Sequence, residues 1–337
     1  MSAKLILPAL VALLPVLCFL AALLYLDSYK LVKLQAVIAV VACGARVAGV
    51  GFFLYAGLLG LLGIELASYT RYVGPVVEEL LKGLVIVALI RFHRVGFLVD
   101  AAIFGFAVGS GFAVIENLYY LDQVPDAGMG TWIVRGFGTA IMHGGATAIF
   151  AVMSLSGLER TQRANLLSFL PGFALAVALH GAYNHLFLPP KFSTLVMLIV
   201  MPPLFYFVFE RSAKAVGNWL GRGFDADTEM LELINSGRLS GSPVGQYLHT
   251  LKDKFKGAVL ADILCFLRLY TELALRAKGI LMMRENGFEV GVDDETRAKF
   301  DEMRYLERSI GRTGLIAMQP VLHMSHKDLW QLYMLGK

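Results

Sequence analysis

Charge is scarce in this chain. Charged residues make up 17% of 337 positions and hydrophobic residues 57%, against about 25% and 45–50% in a soluble domain. That excludes a plain cytoplasmic enzyme. Cysteine is scarce too. Cys18, Cys43 and Cys265 are far apart and form no CxxC pair, which excludes a disulfide scaffold and a thiolate zinc site. A strong excess of one sign is also missing. The balance of 30 Lys and Arg against 26 Asp and Glu is too even and too dispersed to suggest a nucleic-acid partner.

The scarcity of charge is local. Residues 1–211 hold 13 Lys+Arg and 10 Asp+Glu, 23 charges in all, whereas residues 212–337 hold 17 and 16, or 33. The expected organisation is therefore a membrane-embedded core over 1–211 and a soluble-like tail over 212–337. A membrane-crossing helix needs about 20 largely apolar residues. Seven such stretches read as spans: 5–26, 34–62, 68–90, 96–121, 132–156, 166–188 and 192–211. The fold class expected is all-α, a polytopic helix bundle of about seven spans with a C-terminal helical cytoplasmic domain. The first span has an apolar run about twice that of a signal peptide.

Loop charges give an orientation. Lys30, Lys33, Arg91, Arg94, Arg160, Arg163, Arg211 and Lys214 fall on one side, against Lys4, Arg71 and Lys191 on the other. Positive residues mark the cytoplasmic side, so the N-terminus is expected outside and the tail inside.

An ionisable group inside a span costs about 2.5–3.5 kcal/mol on insertion scales and marks a functional position by default. Span 3 carries Glu78, Glu79 and Lys82. Span 4 carries Glu116 and Asn117, span 5 carries His143, and span 6 carries His180 and Asn184. With alternating helix directions and a rise of 1.5 Å per residue, these groups fall at one depth, about 8–17 Å below the outer ends. One polar cavity open to the outside is the simplest expectation. Lys82 follows Glu78 by four residues and Glu79 by three, so it can pair with either. Phe112, Glu116 and Tyr120 share one helix face, as do His180 and Asn184. Pro75 lies one turn before the glutamates, where it can free a carbonyl or bend the helix. Gly105 and Gly109 have the spacing of close helix approach. Arg135 is placed at the cavity rim, and Asp100, at the other end of span 4, reads as structural.

Two chemistries fit this set. A carboxylate can act as general base toward water, or two histidines and a carboxylate can hold zinc with an open position. The candidate metal ligands are Glu116, His143 and His180. A transporter using the same charged layer, and a non-catalytic membrane binding protein, are the competing classes. A transporter would need polar residues in the inner halves of spans 3–6, and none match.

Glu78-Glu79-x-x-Lys82, Phe112-x-x-x-Glu116-x-x-x-Tyr120, the His143 helix and His180-x-x-x-Asn184 together resemble the PrsW family of intramembrane proteases. That family groups with the CAAX-prenyl endopeptidases and bacteriocin-immunity-type proteins. The resemblance covers roughly residues 30–210. It implies a protease of the bacterial inner membrane that makes a site-1-type cut in a membrane-protein substrate such as an anti-sigma factor. It also implies that Glu78 activates water with Glu79 in support, and that His180 and Asn184 form the oxyanion site. His143 becomes an additional catalytic or metal-binding residue. Glu116 stands where the CAAX-type relatives have a histidine, which argues against a prenylated substrate. Lys82, Asn117 and Tyr120 are supporting residues. A divalent metal such as zinc is the cofactor such a site would take; the bilayer and a membrane peptide are the partners.

The tail lies outside the resemblance. Amphipathic periodicity predicts helices over 246–286 and 294–311, with Asp293 and Asp294 at the N-terminal cap of the second. Residues 236–243 read as a loop.

Overall fold

The computed structural model describes residues 3–161, 166–288, 290–322, 327 and 330. Among them there are helices and no strands. Arg163, one of the loop cations, lies outside the described residues. The chain divides into two compact units, Met1–Ala213 and Lys214–Lys337.

The first unit contains α1 (Ala3–Leu26), α2 (Leu34–Leu62), α3 (Gly74–Arg91), α4 (Leu98–Gln123), α5 (Ala140–Thr161) and α6 (Leu170–Asn184), and the first part of α7 (Pro190–Asn235). Each expected span thus has a helix. Among the described residues, five stretches are long and apolar enough to cross a membrane: Leu5–Leu26, Leu34–Leu62, Leu98–Gln123, Met129–Arg160 and Pro190–Asn235. The expected count of seven is not reached on that measure. The other two helices fall short for physical reasons. α3 carries Glu78, Glu79 and Lys82, and α6 has only 15 residues, about 22 Å at helical rise.

α4 is the central helix, packed chiefly against α2 and α5. Its residues from Leu98 to Ala113 are buried without interruption. Glycine makes that packing possible. A Cβ on Gly109 would overlap the carbonyl of His143 on α5, and one on Gly111 would overlap the carbonyl of Val41 on α2. Small residues at such contacts let backbones approach closely, so the glycine spacing read from the sequence sets the distance between α4 and the histidine helix.

Two π-helical segments precede the site-bearing helices. Tyr69–Val73 leads into α3, and Val134–Thr139 leads into α5. Pro75 lies just after the first π segment, near the start of α3, and having no N–H it leaves a carbonyl of the preceding turn without a helical donor. Asp100 caps the start of α4: its Oδ2 accepts from the Gly96 and Phe97 backbone N–H groups at 2.8 and 3.2 Å.

In the second unit, α8 (Pro243–Thr250), α9 (Gly257–Glu285) and α10 (Asp294–Met318) follow the end of α7. A short 3-10 turn, Arg238–Gly241, interrupts the expected loop. Asp293 caps α10 by accepting from the Thr296 backbone N–H at 2.8 Å. Inside this unit Lys278, which is buried, pairs with Asp227 and lies 5.1 Å from the centre of the Trp219 ring.

Candidate active site

α3, α4, α5 and α6 each contribute to one polar cluster. On α3, Lys82 is fully buried and donates to Glu79 Oε1 at 2.5 Å. Of the two pairings that the spacing allowed, the structure takes the one three residues apart. The same ammonium lies 3.1 Å from His143 Nδ1 and 4.6 Å from the centre of the Phe112 ring. An ammonium has three donors and no acceptor. His143 Nδ1 is therefore an acceptor, and the ring proton sits on Nε2. That nitrogen faces Glu116 Oε2 at 3.1 Å.

His180, from α6, meets the opposite side of the cluster. Its Nδ1 lies 2.9 Å from Glu79 Oε1 and its Nε2 3.8 Å from Glu78 Oε2. A carboxylate beside a ring nitrogen fixes the tautomer and orientation of the other nitrogen. Glu79 does this for His180 and Glu116 for His143. The two rings stand edge to face, with centroids 4.7 Å apart.

Glu78 is different from its neighbour. Its Oε2 is buried and has no hydrogen-bond partner among the described residues. A buried acceptor left in that state costs about 1–3 kcal/mol, so it marks a place for a proton, a water or a cation. Glu78, His143 and His180 each offer one ligand atom, all within 4.8 Å of one another. Two imidazoles and a carboxylate suit a catalytic zinc. This donor set fits a divalent metal. Glu78 stands in it where the sequence reading placed Glu116; Glu116 instead faces His143 and Arg135.

Arg135 forms an ion pair with Glu116 at 3.0 Å, without hydrogen-bond alignment at that Nη2. Its Nε donates to Asn117 Oδ1 at 2.9 Å, and its guanidinium stacks 3.6 Å from the Tyr120 ring centre. Asn117 in turn donates to the Ala12 carbonyl of α1 at 2.8 Å. Asn117 and Tyr120 thus both contact Arg135, and Asn117 ties it to α1. Asn184 also points elsewhere than its helix spacing suggested. Its amide donates to the Thr70 carbonyl in the π segment before α3, at 3.0 Å.

The structure brings Glu78, Glu79, Lys82, Glu116, His143 and His180 into one network. The sequence reading put Arg135 at the rim, either snorkelling or paired with a buried acid, and the structure pairs it with Glu116. The contribution of α1 through the Ala12 carbonyl had no signal, because a backbone acceptor is invisible in side-chain spacing.

No curated protein and no solved structure matches the chain. A family model described as PrsW family intramembrane metalloprotease matches residues 33–208, just over half of the chain. The matched segment contains every residue of the cluster, and the chain belongs to the PrsW family of intramembrane metalloproteases.

Proposed function

We propose that this chain is an endopeptidase that cuts a membrane-protein segment at the Glu78–His143–His180 cluster. The substrate class is a single-span protein of the anti-sigma type, cut near its extracytoplasmic end. The enzyme sits in the bacterial inner membrane, with the N-terminus outside and the helical tail in the cytoplasm. Loop charges support that orientation, since eight basic residues lie on the tail side and three opposite.

The observation that carries the reading is the unpartnered, buried Oε2 of Glu78 beside His180. A carboxylate in this state can act as a general base toward water. Glu78 takes a proton from that water as its oxygen bonds to the peptide carbonyl carbon. It returns the proton to the amide nitrogen as the C–N bond breaks. Glu79 holds His180 so that Nε2 faces the same space. Glu116 holds His143 through Nε2, and Arg135 holds Glu116. Glu78, His143 and His180 would hold a divalent metal of the kind the family description implies, and Glu78 serves as the base only where that ion is absent. A bound divalent ion supplies Lewis acidity to the scissile carbonyl and lowers the pKa of water.

Purified protein reconstituted with a single-span peptide tests the reading. Wild type is expected to release two fragments, and His180→Ala to lose at least 100-fold in rate while keeping its melting temperature. Cleavage by His180→Ala at the wild-type rate would refute it.

A further inference from the structure

The cluster contains its own cation. Lys82 is fully buried, its Nζ donates to Glu79 Oε1 at 2.5 Å, and it lies 3.1 Å from His143 Nδ1. His143 therefore meets a partner at each nitrogen, with Glu116 at Nε2 and Lys82 at Nδ1. An imidazole with its proton on Nε2 has a single lone pair, on Nδ1. The Lys82 ammonium already holds that lone pair. His180 is in the opposite condition. Glu79 occupies Nδ1, and Nε2 lies 3.8 Å from Glu78 Oε2, beyond hydrogen-bond distance. So Glu78 and His180 present free ligand atoms, while His143 presents one only when Lys82 withdraws.

We infer that the Lys82 ammonium and a divalent metal are alternative occupants of this site, competing for His143 Nδ1. The inference rests on the reading of this cluster as the active site, and adds how that site is loaded. Two features of the network favour exclusion over coexistence. The first is charge. A divalent ion held by His143 would lie within a few ångströms of a buried ammonium, in surroundings where charge interactions are weakly screened. The second is valence. One lone pair cannot serve both a metal and an N–H donor. The metal-free fold is complete in this respect: Glu79 and His143 satisfy the ammonium, and the Phe112 ring faces it at 4.6 Å. The unpartnered Glu78 Oε2 remains in that form as the acceptor for a water proton. Lys82 therefore sets a threshold of metal concentration below which the ammonium keeps its place at His143.

The test uses full-length protein in detergent micelles and zinc alone as the probe. Affinity is measured by competition with a chromophoric chelator, alongside the melting temperature with and without zinc. Lys82→Met is expected to bind one zinc at least tenfold more tightly than wild type, because the competing cation is gone. Its metal-free form is expected to melt lower, with Glu79 left with His180 Nδ1 as its partner and no cation, and zinc is expected to restore the melting temperature. Lys82→Arg keeps the charge and is expected to bind no more tightly than wild type. The gain in Lys82→Met is expected to vanish in Lys82→Met/His143→Ala. Lys82→Met that binds no more tightly than wild type overturns the inference, as does a gain that survives loss of His143. A Lys82→Met protein that zinc neither folds nor stabilises overturns it as well. All of these readouts are independent of cleavage, so the proteolytic reading fails separately, on fragment release.

Discussion

Gly109→Ala puts the positioning of His143 to a direct test. Gly109 lies on α4, and a Cβ there would overlap the His143 carbonyl and crowd Gly144 on α5. Both obstacles are backbone, so no side-chain tip can swing aside. α4 and α5 must separate by about 1 Å, and a misplacement of that size near a reacting centre costs roughly 100-fold in rate. That equals about 2.7 kcal/mol of barrier. The effect on stability is smaller. Alanine for glycine in a helix returns about 0.5–1 kcal/mol, while overpacking costs about 1–3 kcal/mol. The net loss is about 0–2.5 kcal/mol, and the protein should still fold. The separation would pull His143 from its two 3.1 Å contacts, Glu116 on α4 and Lys82 on α3. The assay is peptide cleavage in proteoliposomes, with thermal melting on the same preparation. Gly49→Ala is the control, because nothing lies within 4 Å of a Cβ there, and it should keep its rate within twofold. A Gly109→Ala enzyme that also keeps its rate within twofold refutes the claim that helix approach positions His143.

Further outcomes follow from individual contacts. Arg135→Gln leaves Glu116, 17% exposed at the side chain, without its cation; breaking a fully buried pair costs about 3–5 kcal/mol, so this half-screened one should cost about 1–3 kcal/mol in detergent unfolding. Lys278→Met removes the buried partner of Asp227 in the tail unit and should lower tail stability by about 2–4 kcal/mol, read by proteolysis of the tail in the full chain. In the same unit, the hydrogen bonds from Thr296, followed by the Arg276 contact, hold the Asp293 carboxyl down at about 2. Because the folded value lies below the unfolded one of about 3.9, its contribution is fully present above pH 4. It is lost as pH falls from 4 toward 2. Asp293→Asn should remove that part of the acid transition in circular dichroism, and an unchanged transition would contradict the assignment of Asp293 as the cap.

Side-chain chemistry at helical spacing was readable wherever both partners lay on one helix or the cost of burial demanded a partner. Glu79 and Lys82 are an example: their separation permitted the pair, and the absence of water required it. The convergence of Glu78, Glu116, His143 and His180 was likewise readable from depth. Direction around the helix was harder. Asn184 follows His180 by four residues, yet it turns to the Thr70 carbonyl because the π segment leaves that acceptor nearby. The two π segments have no composition signature, and they shift the facing of residues that follow. The choice between Glu78 and Glu116 as the unpartnered carboxylate depended on Arg135, whose reach from a separate helix cannot be read from spacing. Span number suffered for a related reason. α3 carries Glu78, Glu79 and Lys82, which lower its apolar character, and α6 is short.

The central claim is that Glu78 supplies the base for peptide hydrolysis in this membrane cluster. Single-turnover cleavage of a single-span peptide by wild type and Glu78→Gln, in proteoliposomes at equal protein and equal melting temperature, tests it most directly. The account predicts that Glu78→Gln loses at least 1,000-fold in the cleavage step while still binding the peptide. A Glu78→Gln enzyme that cleaves within tenfold of wild type would contradict it.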